Sequence, residues 1–172
     1  MTIRQITGSA LLSATGVLLP QVFHMMGGAA TGAMFLPMHI PVLLAGMLYG
    51  PMCGACVGVL SPTLSFLIFA MPPAAKYPFM LIELIFYGIA AGLCERALRR
   101  FDTVNLIFTT FFSQMIGRAA YAGCLWLGGR FLVGVNFPAV ATVTAALSAG
   151  LPGIVIQLVL VPAMYSALKR IR

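Results

Sequence analysis

Long apolar runs, broken by glycine and proline, organise this chain. Six of them approach the roughly 20 residues that an α-helix needs to cross a bilayer. The first is 3–23, followed by the Met/Gly-rich loop HMMGGAATGAMF. The second, 37–50, is short and opens on Pro37 and Pro41. A tight Tyr-Gly-Pro turn leads into the third, 52–70, and the loop MPPAAKY into the fourth, 78–98. Arg-Arg-Phe-Asp separates that span from the fifth, 104–128, and GRFLVGVNFP precedes the sixth, 139–168. The short second and third spans predict either tilted helices or a helix pair broken at Pro62. Such breaks survive at membrane depth only where they face protein or a cavity. The pattern therefore predicts an all-α integral membrane protein, with residues 1–172 forming one domain of six transmembrane helices in one bundle.

Composition agrees with that reading. The chain is 61% hydrophobic and 8% charged, with a mean hydropathy of +1.04, whereas a soluble domain carries about a quarter charged residues. The net charge of +7 suggests nucleic acid in a soluble chain. Here the basic residues fall at span ends, where they report orientation instead. Arg4, Arg96, Arg99, Arg100, Lys169, Arg170 and Arg172 lie on one side, and only Lys76 and Arg130 on the other. The positive-inside rule then predicts cytoplasmic termini and outward loops at 24–36, 71–77 and 129–138. The first segment lacks a small-x-small cleavage site and reads as a retained helix. Cys53, Cys56, Cys94 and Cys124 all lie in apolar stretches, without a disulfide framework.

Two ionic side chains interrupt the apolar pattern where hydrocarbon is expected. Glu83 lies inside PFMLIELIFYGIAAGL, and Arg118 inside FFSQMIGRAAYAGCLWLGG. At 1.5 Å per residue they lie roughly 8 and 15 Å below the outer boundary, close enough in depth to meet. An unpaired charge at that depth is costly, so both are expected to face the bundle interior. Two readings stay open. In one, the pair is a structural brace between helices. In the other, Arg118 holds a ligand carboxylate or carbonyl in its planar fork, within a pocket built from Glu83, Tyr87, Gln114, Tyr121 and Trp126. Such an aromatic wall with a few placed polar groups is the usual make-up of a small-molecule site. Gly117 would admit a ligand close to the backbone. Gln157 on the sixth span, with interhelical packing glue as its alternative role, and Asn136 in the preceding loop, with capping of the sixth helix as its alternative, join the candidate substrate-binding set. So do His39 and Lys76 which, with His24, are expected to line a gate in the outer loops.

Several other chemistries find little support. Cys53-Gly-Ala-Cys56 raises a membrane thiol oxidoreductase, but the pair lies near the cytoplasmic end and has no second pair to relay electrons. His24, His39 and the neighbouring methionines lack the carboxylates and fixed spacing of a metal centre, so no metal site is assigned. Ser61 and Ser65 have no histidine at their depth. No Gly-rich phosphate loop is present, so energy for uphill transport must come from elsewhere. No catalytic residues and no cofactor are assigned, and the chain reads as a non-enzyme. A small-residue ridge, Ala10-Leu-Leu-Ser-Ala14 on the first helix, would let another helix approach closely.

Taken together, the six spans, the AxxxA at Ala10 and Ala14, and the stretches FLPMHIPVLLAG (35–46), AMPP (70–73), ELIFYG (83–88) and GLPGIVIQ (150–157) resemble the substrate-binding S component of energy-coupling factor (ECF) vitamin transporters. The resemblance covers nearly the whole chain and is nearest to pantothenate-type members. It implies a plasma-membrane protein that captures a water-soluble vitamin or precursor outside, in a pocket roofed by its first and third loops. It also implies that the Ala10/Ala14 face docks a transmembrane coupling (T) component attached to two ATPase subunits. Toppling of the S component driven by ATP then delivers the ligand. A Met-His at the extreme N-terminus marks metal-transporting members, and Met38-His39 is internal. Two alternatives stand beside this one: a ligand-free structural or assembly subunit of a membrane complex, and the CxxC oxidoreductase.

Overall fold

The computed structural model describes residues 1–98, 103–131 and 139–171. Among these residues the chain is helical apart from short connections, in six helices: α1 (Ile3–Phe35), α2 (His39–Tyr49), α3 (Pro51–Phe69), α4 (Tyr77–Ala97), α5 (Thr103–Phe131) and α6 (Ala139–Ile171). Four stretches, Ile3–Gly28, Pro51–Phe69, Tyr77–Ala97 and Gly150–Arg170, are long and apolar enough to cross a bilayer.

The chain opens on a capping box. The Thr2 hydroxyl accepts from the Gln5 backbone N–H, and the Gln5 side chain accepts from the Thr2 N–H at 2.8 Å, satisfying two of the helix's otherwise orphaned donors. Gln5 Nε2 also donates to Tyr49 O at 3.3 Å, which ties the start of α1 to the end of α2. The helix does not stop at residue 23 as the loop composition suggested. It continues to a kink at Gly27 and Gly28, where Gly28 has φ 72°, a left-handed conformation open to glycine without a Cβ clash. Beyond the kink the chain turns back, so that Gly32 packs against the His24 ring. Much of the expected outer loop is thus helical.

The second element departs furthest from expectation. At 11 residues α2 is roughly 16 Å long, about half the hydrocarbon thickness, and every residue from His39 to Met47 is buried. A helix that is apolar all round belongs inside a bundle. Here α2 is surrounded by α1, α3, α4 and α6, and its Val42, Leu43, Leu44 and Ala45 form the centre of the core with Leu84, Tyr87 and Val161. Pro62 does not break α3. It sits buried within one continuous helix.

Helices α3 and α4 approach until their backbones touch. A Cβ at Gly88 would collide with the Gly54 backbone, and one at Gly54 with the Gly88 carbonyl. Small residues permit this approach, which in lipid replaces the missing hydrophobic drive with van der Waals contact. The buried face of α4 carries Glu83, Leu84, Tyr87, Gly88, Ala90 and Ala91, the spacing of one helical face.

Helix α5 is amphipathic in the inverse sense to a soluble helix. From Thr109 to Arg118 its buried positions are Thr109, Thr110, Ser113, Gln114, Gly117 and Arg118, while Phe108, Phe111, Phe112, Met115 and Ile116 are exposed. Polar groups inside and phenylalanines outside is the arrangement expected when lipid is the solvent. The same polar face explains why α5 falls short of the four most apolar helices. Thr110 and Ser113 satisfy their hydroxyls on the carbonyls of Leu106 and Thr109, four residues back.

The helix ends converge. Gly50, between α2 and α3, lies against the Arg96 guanidinium at the end of α4. Tyr165 of α6 donates to Glu95 Oε1 of α4 at 2.9 Å, and Asn105 at the start of α5 lines the same crevice as Glu95 and Lys169. With the Gln5–Tyr49 bond, these contacts gather the start of α1 and the end of α6 at one end of the bundle.

Candidate functional site

Toward the opposite end, four helices bring polar groups into the core. Glu83 occupies the second turn of α4, and Arg118 lies on the polar face of α5. Arg118 Nη1 stands 3.0 Å from Glu83 Oε1. The two side chains are 8% and 4% exposed, so this ion pair is held away from water, where Coulomb attraction is strong and desolvation is costly. Counting along the helices, Glu83 lies roughly 9 Å from the start of α4 and Arg118 roughly 20 Å from the end of α5. They meet because α5 extends well past the start of α4.

His39 is the third member. The sequence pattern put it at a loop gate with His24 and Lys76. Instead it opens α2, only 2% exposed, with Nε2 3.7 Å from Glu83 Oε1. Its ring meets that of Tyr87 edge-on at 4.9 Å between centroids. The correction follows from the burial of α2 as a whole, which draws its first residue inward. Tyr87, one turn beyond Glu83, is sealed in the core and lies over Gly117. A Cβ at residue 117 would occupy the Tyr87 ring, so this glycine admits an aromatic side chain of the protein itself.

A chain of amides completes the cluster. Gln114, one turn before Arg118, donates from Nε2 to Gln157 Oε1 on α6 at 3.1 Å. Gln157 Nε2 in turn donates to the carbonyls of Leu36 (3.1 Å) and Phe35 (3.4 Å) at the end of α1. Leu36 is left-handed, with φ 51° and ψ 47°, a conformation that a branched residue seldom adopts.

What the cluster leaves unpaired matters most. Among the described residues, Arg118 Nε and Nη2, both nitrogens of His39 and Gln114 Oε1 are buried without a hydrogen-bond partner. Native interiors leave few polar groups in this condition, and each one needs a reason. Here several belong to side chains of α2 and α5, and two of those side chains, His39 and Arg118, meet the same Glu83 carboxylate oxygen.

The remaining candidates are more distant. Tyr121 is half-buried, nearly one turn beyond Arg118. Trp126 turns outward, 57% exposed, and stands outside the cluster. Lys76 is exposed just before α4. His24 bonds through Nδ1 to Pro20 O at 2.6 Å within α1. Asn136 lies outside the described residues. Cys53 is buried and Cys56 exposed, both as free thiols, and no group of metal-ligating side chains occurs among the described residues. Two neighbours of the site, Leu36 and Gly150, had escaped notice. A Cβ at Gly150 would stand 3.0 Å from both Arg118 Nη2 and Leu36 Cδ1. The Gly-Leu-Pro-Gly run marked that position as special, but nothing in the sequence tied it to α5. On α1, Ala10 and Ala14 are both exposed, on a face that also presents Leu11 and Leu18.

No curated protein and no solved structure gives a significant match to this chain. A family model described as ECF transporter, substrate-specific component, matches residues 4–165, which include every residue of the cluster. A helical membrane bundle with its polar groups gathered inside is in keeping with that match. The chain belongs to the substrate-specific component family of ECF transporters, and is thus a multi-pass plasma-membrane transporter subunit and not an enzyme.

Proposed function

We propose that this subunit captures a small water-soluble vitamin or vitamin precursor, with pantothenate the best candidate, in the polar cluster around Arg118. One observation carries the reading. A guanidinium sealed in the core keeps two donors unpaired beside Glu83, His39 and Gln114. A group of that kind is retained against its desolvation cost when a ligand supplies the missing partners. Tyr87 and half-buried Tyr121 provide aromatic surface. Gln157 ties the amide chain to the end of α1 at Leu36, and Lys76 and Trp126 belong to the approach rather than to the anchor.

In this reading the chain passes the bilayer six times, with the short, buried α2 taking up only part of the membrane's depth, and both termini are cytoplasmic, because the basic residues concentrate at that end. The cluster then opens outward. Ala10 and Ala14 dock the transmembrane coupling component, which brings two ATPase subunits. Their exposure on a smooth, otherwise apolar face supports this assignment. The brace reading of Glu83–Arg118 has its own support in the 3.0 Å contact. It is compatible with capture, since one arm of the guanidinium is held while the other edge remains unpaired.

The test has two arms. Gently purified protein is analysed by native mass spectrometry for a retained metabolite. The chain is also co-expressed with an ECF coupling component and its ATPases, and uptake of labelled pantothenate is measured. Retained vitamin together with ATP-dependent uptake is the expected result. A well-folded protein that retains no small molecule and supports uptake of none refutes capture.

A further inference from the structure

The geometry of the unpaired groups specifies the ligand more closely than size and solubility do. Resting on the capture reading above, we infer that the occupant presents a carboxylate received side-on by the Nε–Nη2 edge of Arg118, and that Gly150 is the specificity-determining residue keeping that edge accessible. The guanidinium has two faces for bidentate bonding. Glu83 holds it from Nη1 at 3.0 Å, which leaves Nε and Nη2, adjacent on the other edge, both buried and unpartnered. Two parallel N–H donors in one plane match the two oxygens of a carboxylate. A cationic ligand meets the wrong sign at this edge. A phosphate dianion brings a second negative charge toward Glu83, already a carboxylate in the same buried space.

A second requirement comes from Gln114, which shares a helical face with Arg118 one turn away. Its Nε2 is committed to Gln157, so Oε1 remains as an unpaired buried acceptor. The ligand must offer it an O–H or N–H. The predicted class is therefore a small organic monocarboxylate bearing a hydroxyl or amide donor a few bonds from the carboxylate.

Gly150 controls the approach. It is buried on α6, and a Cβ there would stand 3.0 Å from Nη2 and 3.0 Å from Leu36 Cδ1. Any side chain at 150 competes for the space through which an oxygen reaches Nη2. The atoms it would meet are the tips of flexible side chains, so alanine is accommodated by small shifts of Arg118 and Leu36, and the fold tolerates it while the edge is obstructed.

The test uses ligand pairs that differ at the carboxylate: pantothenate against panthenol, pantoate against pantoamide, and biotin against biotin amide. Binding to purified protein is measured by calorimetry, and the melting midpoint of each unliganded variant reports folding separately. The acid of at least one pair is expected to bind about tenfold or more tightly than its neutral counterpart. Arg118→Lys, which keeps the charge but loses the paired edge, should erase that preference. Gly150→Ala should weaken the acid by about tenfold and the neutral analogue little. Equal binding of acid and neutral forms, binding of none of the three acids, or full preference retained in Arg118→Lys overturns the inference. Capture of a neutral vitamin by a chain that still assembles with the coupling and ATPase subunits defeats only this inference. Failure to retain any ligand defeats the capture reading itself.

Discussion

Arg118 is the anchor of the proposed site, and its neighbours define what can be tested one residue at a time. Replacing it with alanine removes the fork from the site, and ligand affinity should fall at least tenfold, about 1.4 kcal/mol, by calorimetry on a variant whose helicity is intact. Glu83→Gln acts differently. It leaves a buried guanidinium without its countercharge, and breaking one side of a buried pair costs roughly 3–5 kcal/mol. The melting midpoint should therefore drop sharply. The double variant Glu83→Gln/Arg118→Met should recover much of that stability without recovering binding. If it recovers neither, the pair braces the helices in a way that apolar packing cannot replace.

Within single helices, the inverted face of α5 makes the sharpest statement. Phe112 is 50% exposed on the lipid side, so Phe112→Arg should destabilise the bundle by roughly 2.5–3.5 kcal/mol. On a soluble helix the same exposed change would have little effect. Ser113→Ala, on the buried face, removes a hydroxyl already bonded to the Thr109 carbonyl and should cost only about 1 kcal/mol. The ranking, read from thermal denaturation in lipid nanodiscs, reverses if α5 turns its other face to the lipid. The contact of α3 with α4 is as demanding. Gly88→Val drives two methyl groups into the Gly54 backbone, separates the helices that carry Glu83 and the core, and should abolish folded protein on gel filtration.

For the molecule as a whole, the proposed function puts ligand capture and energy coupling on different surfaces. The cluster lies inside α2, α4, α5 and α6, while Ala10 and Ala14 face outward on α1. Ala14→Trp should thus leave the affinity for ligand within about twofold of the original, because surface changes away from the packed core rarely exceed half a kcal/mol. Co-purification with the coupling component and ATP-driven uptake should be lost. Loss of ligand affinity in that variant, measured on the isolated chain, shows that the α1 face and the cluster are not separable.

Much was legible from the residues alone. Apolar runs and their breaks located the six helices, because a chain in lipid must satisfy its backbone within each segment. The expense of burying Glu83 and Arg118 marked both as interior. The chemistry of a side chain is a local property, and local properties survive in a string of letters. The three-dimensional packing decided the rest. Only burial on all sides moved His39 from a presumed gate to the carboxylate of Glu83, and only the crossing of α5 with α6 set Gly150 against Arg118, 32 positions apart in the chain. Trp126 shows the converse, aligned with the site by spacing yet turned outward by the rotation of its helix. Which face a helix buries depends on its neighbours' shapes, and those shapes are fixed jointly by every other segment.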